Sequence, residues 1–415
     1  MTDTADTELH VRDDARASYG PVTDWANDFD VFDPDYVTDP TARWAEQRER
    51  CPIAFTERRQ RTWLPVRYQD LADIAHDVER FSSRDIAVVS PFDIPLNDVM
   101  PIPPISSDAP FHTWARRLLL PAFGPSAIDT MTPITRDLAN SLIDDHFRDG
   151  HGDAAAGYAQ HIPVRVIAQM IGIPLDDEAL FTSWVVRTLQ EGFENLSNIP
   201  DVLGEMTAYF VSHIAERQAM EPGDRPDDIL TMLLGAETEE PITDEHLLGT
   251  CFLLLVAGID TTWSNIGSSL LHLATHPEDQ QRLRDEPELI PTAVEEFLRA
   301  YSPVTMARYV TEDTEFGGCP MKEGDKVLMA FPAGNHDPEM FERADEVIID
   351  RAKNRHFAFG SGIHRCLGSN LARMEIRVAV ETFLERIPSF ELADPSAVRW
   401  NGGQVRGPRC VPIRF

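Results

Sequence analysis

The chain has 415 residues, of which 42% are hydrophobic and 8% aromatic, a composition typical of a globular protein with a sizeable core. Its formal net charge of −32 argues against nucleic acid as a partner, because phosphate binding relies on cationic side chains. The five cysteines show no paired spacing, which argues against a disulfide scaffold and favours a reducing cytoplasm.

The N-terminal residues 1–24 are polar and acidic, and we expect a flexible segment there. No linker, low-complexity tract or repeat divides residues 25–415, which favours one large domain. No positive segment followed by an apolar stretch marks a secretory signal or a membrane anchor. The longest strongly apolar run, 251–259, is far shorter than the roughly 20 residues that cross a bilayer. We therefore expect a cytoplasmic protein without a membrane partner.

Amphipathic helical patterns dominate the chain, and strand-like segments are short, so the predicted fold class is mainly α with a small β region. The predicted helices are 41–51, 68–78, 112–123, 127–147, 164–171, 179–192, 200–220, 227–234, 246–276, 277–285, 291–300 and 368–386. The predicted strands are 53–55, 61–66, 307–316, 326–331 and 411–415. Residues 91–110 and 195–200 are predicted loops, which either cover a pocket or connect elements at the surface.

An acid and a hydroxyl interrupt the apolar pattern of the predicted helix 246–276. Ala257 and Gly258 leave space beside the helix, and the pair Asp260–Thr261 follows them. Thr261 can bond back to a carbonyl of its own helix or reach into a cavity. An acid followed by a hydroxyl supplies a proton relay and a hydrogen-bond donor. The same residues also suit a cap at a helix break.

Cys366 stands in a glycine-rich turn at the start of the predicted helix 368–386. Gly360, Gly362 and Gly368 permit positive φ and let the backbone come close to a flat ring. Unpaired N–H groups at a helix start lower the pKa of a thiol and favour the thiolate that metals need. The turn therefore suits a sulfur bound axially to haem iron. The alternative is a buried, inert cysteine.

The run from Phe359 to Gly368 resembles the haem-binding signature of the cytochrome P450 superfamily. Ala257, Gly258, Asp260 and Thr261 likewise match its Ala/Gly-Gly-x-Asp/Glu-Thr pattern. The resemblance to soluble bacterial members covers almost the whole chain and implies the cytochrome P450 fold. It implies that Cys366 is the axial ligand of haem b, that Thr261 hydrogen-bonds a bound oxygen species, and that Asp260 helps bring protons from solvent.

The resemblance also assigns residues around the cofactor and the substrate. Glu296 and Arg299 are expected to form a salt-bridge network behind the haem, and His336 stands where many relatives have arginine. The remaining cofactor contacts are expected from His112, Arg116, Ala257, Gly258, Arg308, Phe359, Gly360, His364 and Gly368, of which the histidines and arginines would bind the propionates. Family position places Met100, Ile102, Leu254, Ala257, Val304, Met306 and Gln404 around the substrate, although each also suits ordinary core. His112 and Arg116 taken alone also suit a helix surface.

These assignments imply a haem-thiolate monooxygenase that inserts one atom of O2 into a small hydrophobic organic substrate by hydroxylation or O-dealkylation. No GxGxxG motif or iron–sulfur cysteine set occurs. Electrons from NAD(P)H are therefore expected through a ferredoxin and its reductase. A basic cluster either docks an acidic carrier or pairs with carboxylates; it comprises Arg351, Lys353, Arg355, Arg365, Arg373 and Arg377, with Glu375 the only acid between the first and the last.

Three alternatives differ in what they require of the chain. A peroxide-driven peroxygenase typically lacks the acid–alcohol pair, which this chain has. A haem-binding sensor or carrier without turnover needs no proton relay. A cysteine hydrolase would use Cys366 with His364, but these side chains diverge on the turn.

Overall fold

The computed structural model describes residues 19–90, 92, 94–191, 198–238 and 241–415. Helices account for most of this part of the chain. They are α1 (Pro34–Thr38), α2 (Thr41–Arg50), α3 (Tyr68–His76), α4 (Leu96–Val99), α5 (Phe111–Leu119), α6 (Pro125–Asp129), α7 (Thr132–His146), α8 (His161–Ile171), α9 (Glu178–Val185), α10 (Ile199–Ala219), α11 (Ile229–Leu234), α12 (Asp244–Thr275), α13 (Pro277–Asp285), α14 (Ile290–Ala300), α15 (Phe331–Asn335) and α16 (Ser369–Arg386). π-Helical turns cover Ala155–Ala159 and Val186–Gln190.

The strands form several small sheets. They are β1 (Ile53–Thr56), β2 (Thr62–Pro65), β3 (Phe81–Ser82), β4 (His151–Asp153), β5 (Thr305–Val310), β6 (Thr314–Phe316), β7 (Cys319–Met321), β8 (Lys326–Ala330), β9 (Glu391–Leu392), β10 (Arg399–Asn401), β11 (Gly407–Cys410) and β12 (Pro412–Arg414). The largest sheet has the order β1-β2-β8-β5-β3; β4-β12-β9 form a second sheet, and β6-β7 and β10-β11 form hairpins. In the large sheet, β5 and β8 pair antiparallel, with Thr305 opposite Ala330.

Helix α12 passes through the centre of the fold. It begins after Thr243, whose side chain accepts a hydrogen bond from the backbone N–H of His246 and so caps the helix. Most of its residues are buried, and α8, α10, α16 and β11 all pack against it. By length and composition the helix could cross a membrane, but 72% of its most apolar window is buried inside the protein, as in a core helix.

The predicted fold class, mainly α with a small β region, is confirmed, but some predicted elements are divided and several short helices and strands were not predicted. The predicted helix 127–147 is two helices, α6 and α7, and the predicted strand 307–316 is divided into β5 and β6. The helix break considered near Asp260 does not occur, because α12 is continuous there.

Several sequence predictions fall partly on residues that the structure does not describe, among them the predicted helix 179–192, whose Gly192 lies outside the described ranges. Of the N-terminal segment 1–24, residues 1–18 lie outside the described ranges, and Val22 packs against the core cluster that contains Trp25. Of the predicted loops, Pro91, Asp93 and residues 195–197 also lie outside them.

Candidate functional site

A cavity lies between α12 and the loop that carries Cys366. Every residue assigned to cofactor contacts from sequence lines it: His112, Arg116, Ala257, Gly258, Arg308, Phe359, Gly360, His364, Cys366 and Gly368. Thr261 and Leu254 line the same cavity. The fold therefore brings together residues that are up to about 250 positions apart in the chain.

A hydrogen bond within its own backbone stabilises the loop before α16. The N–H of Cys366 donates to the carbonyl of Phe359 at 2.8 Å. Gly360 and Gly362 have positive φ angles of 67° and 70°, which favour glycine. A Cβ on Gly362 would lie 2.3 Å from the carbonyl oxygen of Ala75 in α3. This glycine therefore allows a close approach to α3, while Gly368, with φ of −78°, has no unusual backbone angle.

Cys366 lines the cavity and has exposed surface there, although protein atoms surround its thiol. Burial raises its pKa, and this outweighs the N–H of Gly368 and the positive charges of Arg116, Arg365 and Arg373, which lower it. The sequence predicted a lowered pKa for this thiol, and for the polypeptide without cofactor that prediction is wrong. It took account of the helix start but not of the apolar interior around the thiol.

The imidazoles of His112 and His364 lie side by side at the cavity wall. Their ring centroids are 4.2 Å apart, and the Nε2 of His364 lies 2.9 Å from the hydroxyl of Ser83. His112 is 2% exposed, and within the described residues neither of its ring nitrogens has a hydrogen-bond partner. Its ring N–H can therefore donate a hydrogen bond to a group bound in the cavity.

Two arginines extend this polar wall. Arg308 on β5 is 5% exposed and donates to the carbonyl of Ala307 at 2.8 Å, and burial lowers its pKa to about 10. Arg116, one turn after His112, donates to the carbonyl of Arg365 at 2.6 Å. Throughout the described ranges, no ion pair occupies either guanidinium. Unpaired buried cations are costly, so this wall fits a bound group that carries carboxylates, as a haem does.

Thr261 and Asp260 face different neighbours although they are consecutive on α12. The hydroxyl of Thr261 donates to the carbonyl of Ala257 at 2.9 Å. Asp260 has no exposed surface; Arg409 lies 2.8 Å and Gln190 3.2 Å from its Oδ1. Burial raises the pKa of Asp260 against the opposing effects of Arg409 and Gln190. The hydroxyl can therefore act in the cavity, whereas the acid is held outside it.

A second, mainly apolar cavity adjoins the first. Six of the residues predicted around the substrate line it: Met100, Ile102, Ala257, Val304, Met306 and Gln404. Ala257, Thr261, Val304 and Met306 line both cavities, while Leu254 lines only the first. Among the described lining residues no side chain is charged. The arrangement suits a neutral, apolar ligand next to Thr261.

The predicted pair Glu296–Arg299 is fully buried, with 2.8 Å between Oε1 and Nη2. Arg351 adds a second guanidinium, whose Nε lies 3.0 Å from Oε2 of Glu296. His336 does not contact this carboxylate; its Nδ1 lies 3.0 Å from the carbonyl of Pro332, and its ring lies against Trp44. Burial lowers the pKa of His336 to about 4, which favours the neutral ring in the interior.

Several polar residues of the site were not identified from the sequence. Ser83, Gln190 and Arg409 contact predicted site residues but lie far from them in the chain, and no local pattern marks them. Glu375 had a signal, since it is the single acid in a basic segment. It is 1% exposed and lines the first cavity, and burial raises its pKa well above 4.5.

Comparisons with known proteins show to which family the chain is similar. The family model "Cytochrome P450" matches residues 179–397. The mycinamicin IV hydroxylase/epoxidase of Micromonospora griseorubida is 32% identical over 381 residues, which cover 89% of this chain and 94% of that protein. The structure of the bacillaene polyketide synthase cytochrome P450 PksS of Bacillus subtilis 168 is similar, with a TM-score of 0.84, 31% identity, and coverage of 93% of this chain and 99% of the other. That of P450BioI in complex with a hexadec-9Z-enoic acid ligated acyl carrier protein has a TM-score of 0.81 and 29% identity, and covers 92% and 99%.

Proposed function

The chain belongs to the cytochrome P450 family and is a monooxygenase of the oxidoreductase class, and from this we propose its cofactor, substrate class and electron donors. The cofactor is haem b, and Cys366 would bind its iron through the thiolate. The reaction inserts one atom of O2 into a small, neutral, hydrophobic molecule by hydroxylation or O-dealkylation. NAD(P)H supplies the electrons through a ferredoxin reductase and a ferredoxin.

One observation carries the cofactor assignment: a single cavity has a cysteine thiol at one side and, at its wall, cationic groups that form no ion pair with any described residue. Cys366 supplies the sulfur, and Arg116 and Arg308 together with the two imidazoles supply donors for two carboxylates. When bound, a haem with a thiolate ligand supplies O2 activation and favours cleavage of the O–O bond. The cavity wall would bind and orient it.

Thr261 and Asp260 are proposed to transfer protons towards the cavity. The hydroxyl of Thr261 lines both cavities, so it meets the cofactor and the substrate at their junction. Asp260 is buried one residue before it, and its raised pKa makes protonation easier than for an exposed acid. The neighbouring hydroxyl and acid suit transfer of a proton towards the cavity.

The substrate class follows from the second cavity. Its described lining is almost entirely aliphatic, with Thr188, Thr261 and Gln404 as its polar side chains. A charged ligand would lose its hydration there without gaining a counter-charge, which is costly. A terpenoid or an aromatic compound suits this lining, and the acyl chain that the similar P450BioI binds has the same apolar character.

The electron donor is proposed to dock beside the Cys366 loop. Arg351, Arg373 and Arg377 of the basic cluster are used in ion pairs with Glu296, Glu295 and Glu381. Within the described chain, Lys353, Arg355 and Arg365 have exposed side chains without such pairs. They offer a small basic surface to an acidic ferredoxin, and this role implies a cytoplasmic location.

The test begins with the spectrum of the reduced protein under carbon monoxide. The reduced, haem-loaded protein under carbon monoxide should show an absorption maximum at about 450 nm, as expected for a thiolate ligand. Cys366→Ala should lose this band, and Cys51→Ser, which changes a cysteine outside both cavities, should keep it. Absence of the band in the parent protein would contradict the cofactor assignment.

Turnover then separates the remaining possibilities. Thr261→Ala should consume NADPH but divert it from product to peroxide, and Thr261→Ser, which keeps the hydroxyl, should remain coupled. Equal coupling in both variants would contradict the role of Thr261. Turnover with hydrogen peroxide and none with ferredoxin would indicate a peroxygenase, and a 450 nm band without any turnover would indicate a sensor. Because the substrate is unidentified, a library of neutral terpenoid, aromatic and acyl compounds is first screened for the Soret spin-state shift.

A further inference from the structure

One wall of the second cavity is a segment without regular secondary structure. Residues 85–90, here called the wall segment, lie between β3 and α4 and belong to no helix or strand. Ile86, Ala87 and Val89 from this segment are buried and line the cavity. No helix or strand ladder fixes the backbone of the wall segment, so its shape depends on hydrogen bonds to other parts of the protein.

A buried lysine makes three of these contacts. Lys326 is the first residue of β8, and its side chain is 2% exposed. Its Nζ donates to the carbonyl of Ala87 and, at 2.7 Å, to the hydroxyl of Ser90. It also lies 2.9 Å from Oδ2 of Asp85, which accepts a further hydrogen bond from Ser90. These three oxygens match the three N–H donors of an ammonium group, and all three belong to the wall segment.

The large sheet fixes the position of this lysine. Strand β8 is the central strand of that sheet, and Lys326 pairs with Tyr309 of β5 on one side and with Thr62 of β2 on the other. Hydrogen-bonded neighbours on both sides leave the strand little freedom to move. The N–H of Ala307 in β5 also donates to the carbonyl of Ile86 at 3.0 Å. The wall segment is therefore attached to the sheet by one backbone hydrogen bond and by the lysine side chain.

Stability alone does not account for a lysine at this position. Lysine is almost never fully buried unless it is paired, and the lost hydration of a buried ion pair offsets much of its attraction. Two apolar side chains of similar volume often stabilise a fold equally well. They cannot donate a hydrogen bond to the carbonyl of Ala87, however, and this bond fixes the backbone beside the cavity. The specific contribution of Lys326 is therefore the position of the wall segment.

We propose that Lys326 and Asp85 are a pair of positioning residues that fix the wall segment and thereby determine how tightly the second cavity binds an apolar ligand. This inference rests on the proposed function, since it treats the second cavity as the substrate site. Neither residue is among the described residues that line the two cavities, so both act through the wall segment. Asp85 neutralises the ammonium group, which keeps the wall suited to neutral molecules.

Binding of two imidazoles to the haem-loaded protein tests this role. Imidazole binds haem iron through a ring nitrogen and has no chain to contact the wall segment, whereas 1-dodecylimidazole carries an apolar chain that extends beyond the iron. Soret titrations give both dissociation constants. Lys326→Met should weaken binding of 1-dodecylimidazole by about tenfold and that of imidazole by less than about twofold. Lys322→Met is the matched control, because Lys322 lies just before β8 in an exposed pair with Asp313, and it should match the parent with both compounds.

A double variant separates positioning from stability. Lys326→Met alone leaves Asp85 in the interior without its counter-charge and should lower the urea midpoint, measured at matched haem loading. Lys326→Met with Asp85→Leu replaces both charges and should return the midpoint to near that of the parent. It should still bind 1-dodecylimidazole about tenfold more weakly, because the carbonyl of Ala87 lacks its donor. If Lys326→Met does not fold, Ser90→Ala keeps the ion pair, removes one contact of the lysine and should weaken this binding by about threefold.

The outcomes distinguish this inference from the proposed function. Recovery of both the urea midpoint and the affinity for 1-dodecylimidazole in the double variant would overturn it, because the pair would then serve stability only. Equal weakening of both imidazoles in Lys326→Met would also overturn it, because the change would then lie at the haem and not at the wall segment. Failure of the proposed function has a different signature, since the parent protein itself would lack the band at about 450 nm and would bind neither imidazole.

Discussion

The carboxylate of Glu296 on α14 binds two arginines in the protein interior. It accepts hydrogen bonds from Arg299 at 2.8 and 2.9 Å, from Arg351 at 3.0 Å and from the backbone N–H of Ile348 at 2.8 Å. The side chains of Glu296 and Arg299 have no exposed surface, and that of Arg351 is 8% exposed. Glu296→Ala would therefore leave two guanidinium groups in the interior without their counter-charge.

The expected cost is a large part of the stability of the protein. Removing one partner of a buried ion pair costs about 3–5 kcal/mol, compared with about 5–15 kcal/mol for unfolding a typical domain. Arg299 would keep hydrogen bonds to the carbonyls of Asn335, Ala344 and Glu346, so some of its donors stay satisfied. We therefore expect a loss of about 3 kcal/mol for Glu296→Ala. Glu296→Gln, which keeps one acceptor oxygen, should lose less.

Urea unfolding of the haem-loaded proteins measures this loss, at matched cofactor loading because a bound ligand adds to apparent stability. The control is Glu391→Ala, which removes an exposed partner of Arg414; that pair is 2.7 Å long and 63% and 61% exposed. Exposed pairs contribute at most about 1 kcal/mol. If Glu296→Ala lost no more stability than Glu391→Ala, the buried network would not stabilise the fold, and this reasoning would be refuted.

Three other predictions concern single side chains. Burial raises the pKa of Glu375 well above 4.5. Above about pH 4.5 the unfolded state therefore loses a proton that the folded state keeps, and the free energy of unfolding decreases as the pH rises. Glu375→Gln has no such group and should not show this decrease. Measured by urea unfolding, the free energy of unfolding of the variant minus that of the parent should therefore increase from about pH 5 to about pH 8. The same difference at both pH values would contradict a neutral, buried Glu375. Burial lowers the pKa of His336 to about 4. The free energy of unfolding of the parent should therefore decrease by up to about 3 kcal/mol as the pH falls from about 6.5 to about 4. In the same assay, His336→Gln should show a smaller decrease over this range. Among the described residues, the Nε2 of Gln404 donates only to the weakly accepting sulfur of Met306, at 3.5 Å, so a ligand carbonyl should compete for it. Gln404→Leu should weaken binding of a cyclic ketone up to about tenfold in a Soret titration, with little effect on the matching hydrocarbon, and equal effects on both would argue against this hydrogen bond.

The sequence was most informative where structure depends on near neighbours. The apolar pattern of α12 marks a helix from residue 246, and its true start at Asp244 follows from the cap at Thr243. The strands were harder to predict, because their partners lie far away in the chain. Strand β3 has two residues and pairs with β5 more than 200 positions later, so no local periodicity distinguishes it from a loop.

The site shows the same division between local and distant information. The turn around Cys366 and the pair Asp260–Thr261 are local patterns, and both line or adjoin the predicted cavity. The partners Ser83 and Arg409 depend on the tertiary fold and could not be inferred from spacing. The pKa expectation for Cys366 was wrong for a related reason, because the effect of a helix start is local whereas desolvation depends on everything packed around the thiol.

The small residues of α12 explain how one continuous helix serves both sides of the proposed proton route. Gly258 does not form part of a kink: a Cβ there would lie 3.1 Å from Cγ1 of Ile167, so its absence lets α8 approach. Gly267 similarly admits Pro408 of β11, and Ala257 opens onto the cavities. Consecutive helical residues point about 100° apart, so Asp260 and Thr261 meet different neighbours without any break in the helix. The separation of acid and hydroxyl thus follows from helix geometry together with the close packing of α8 and β11.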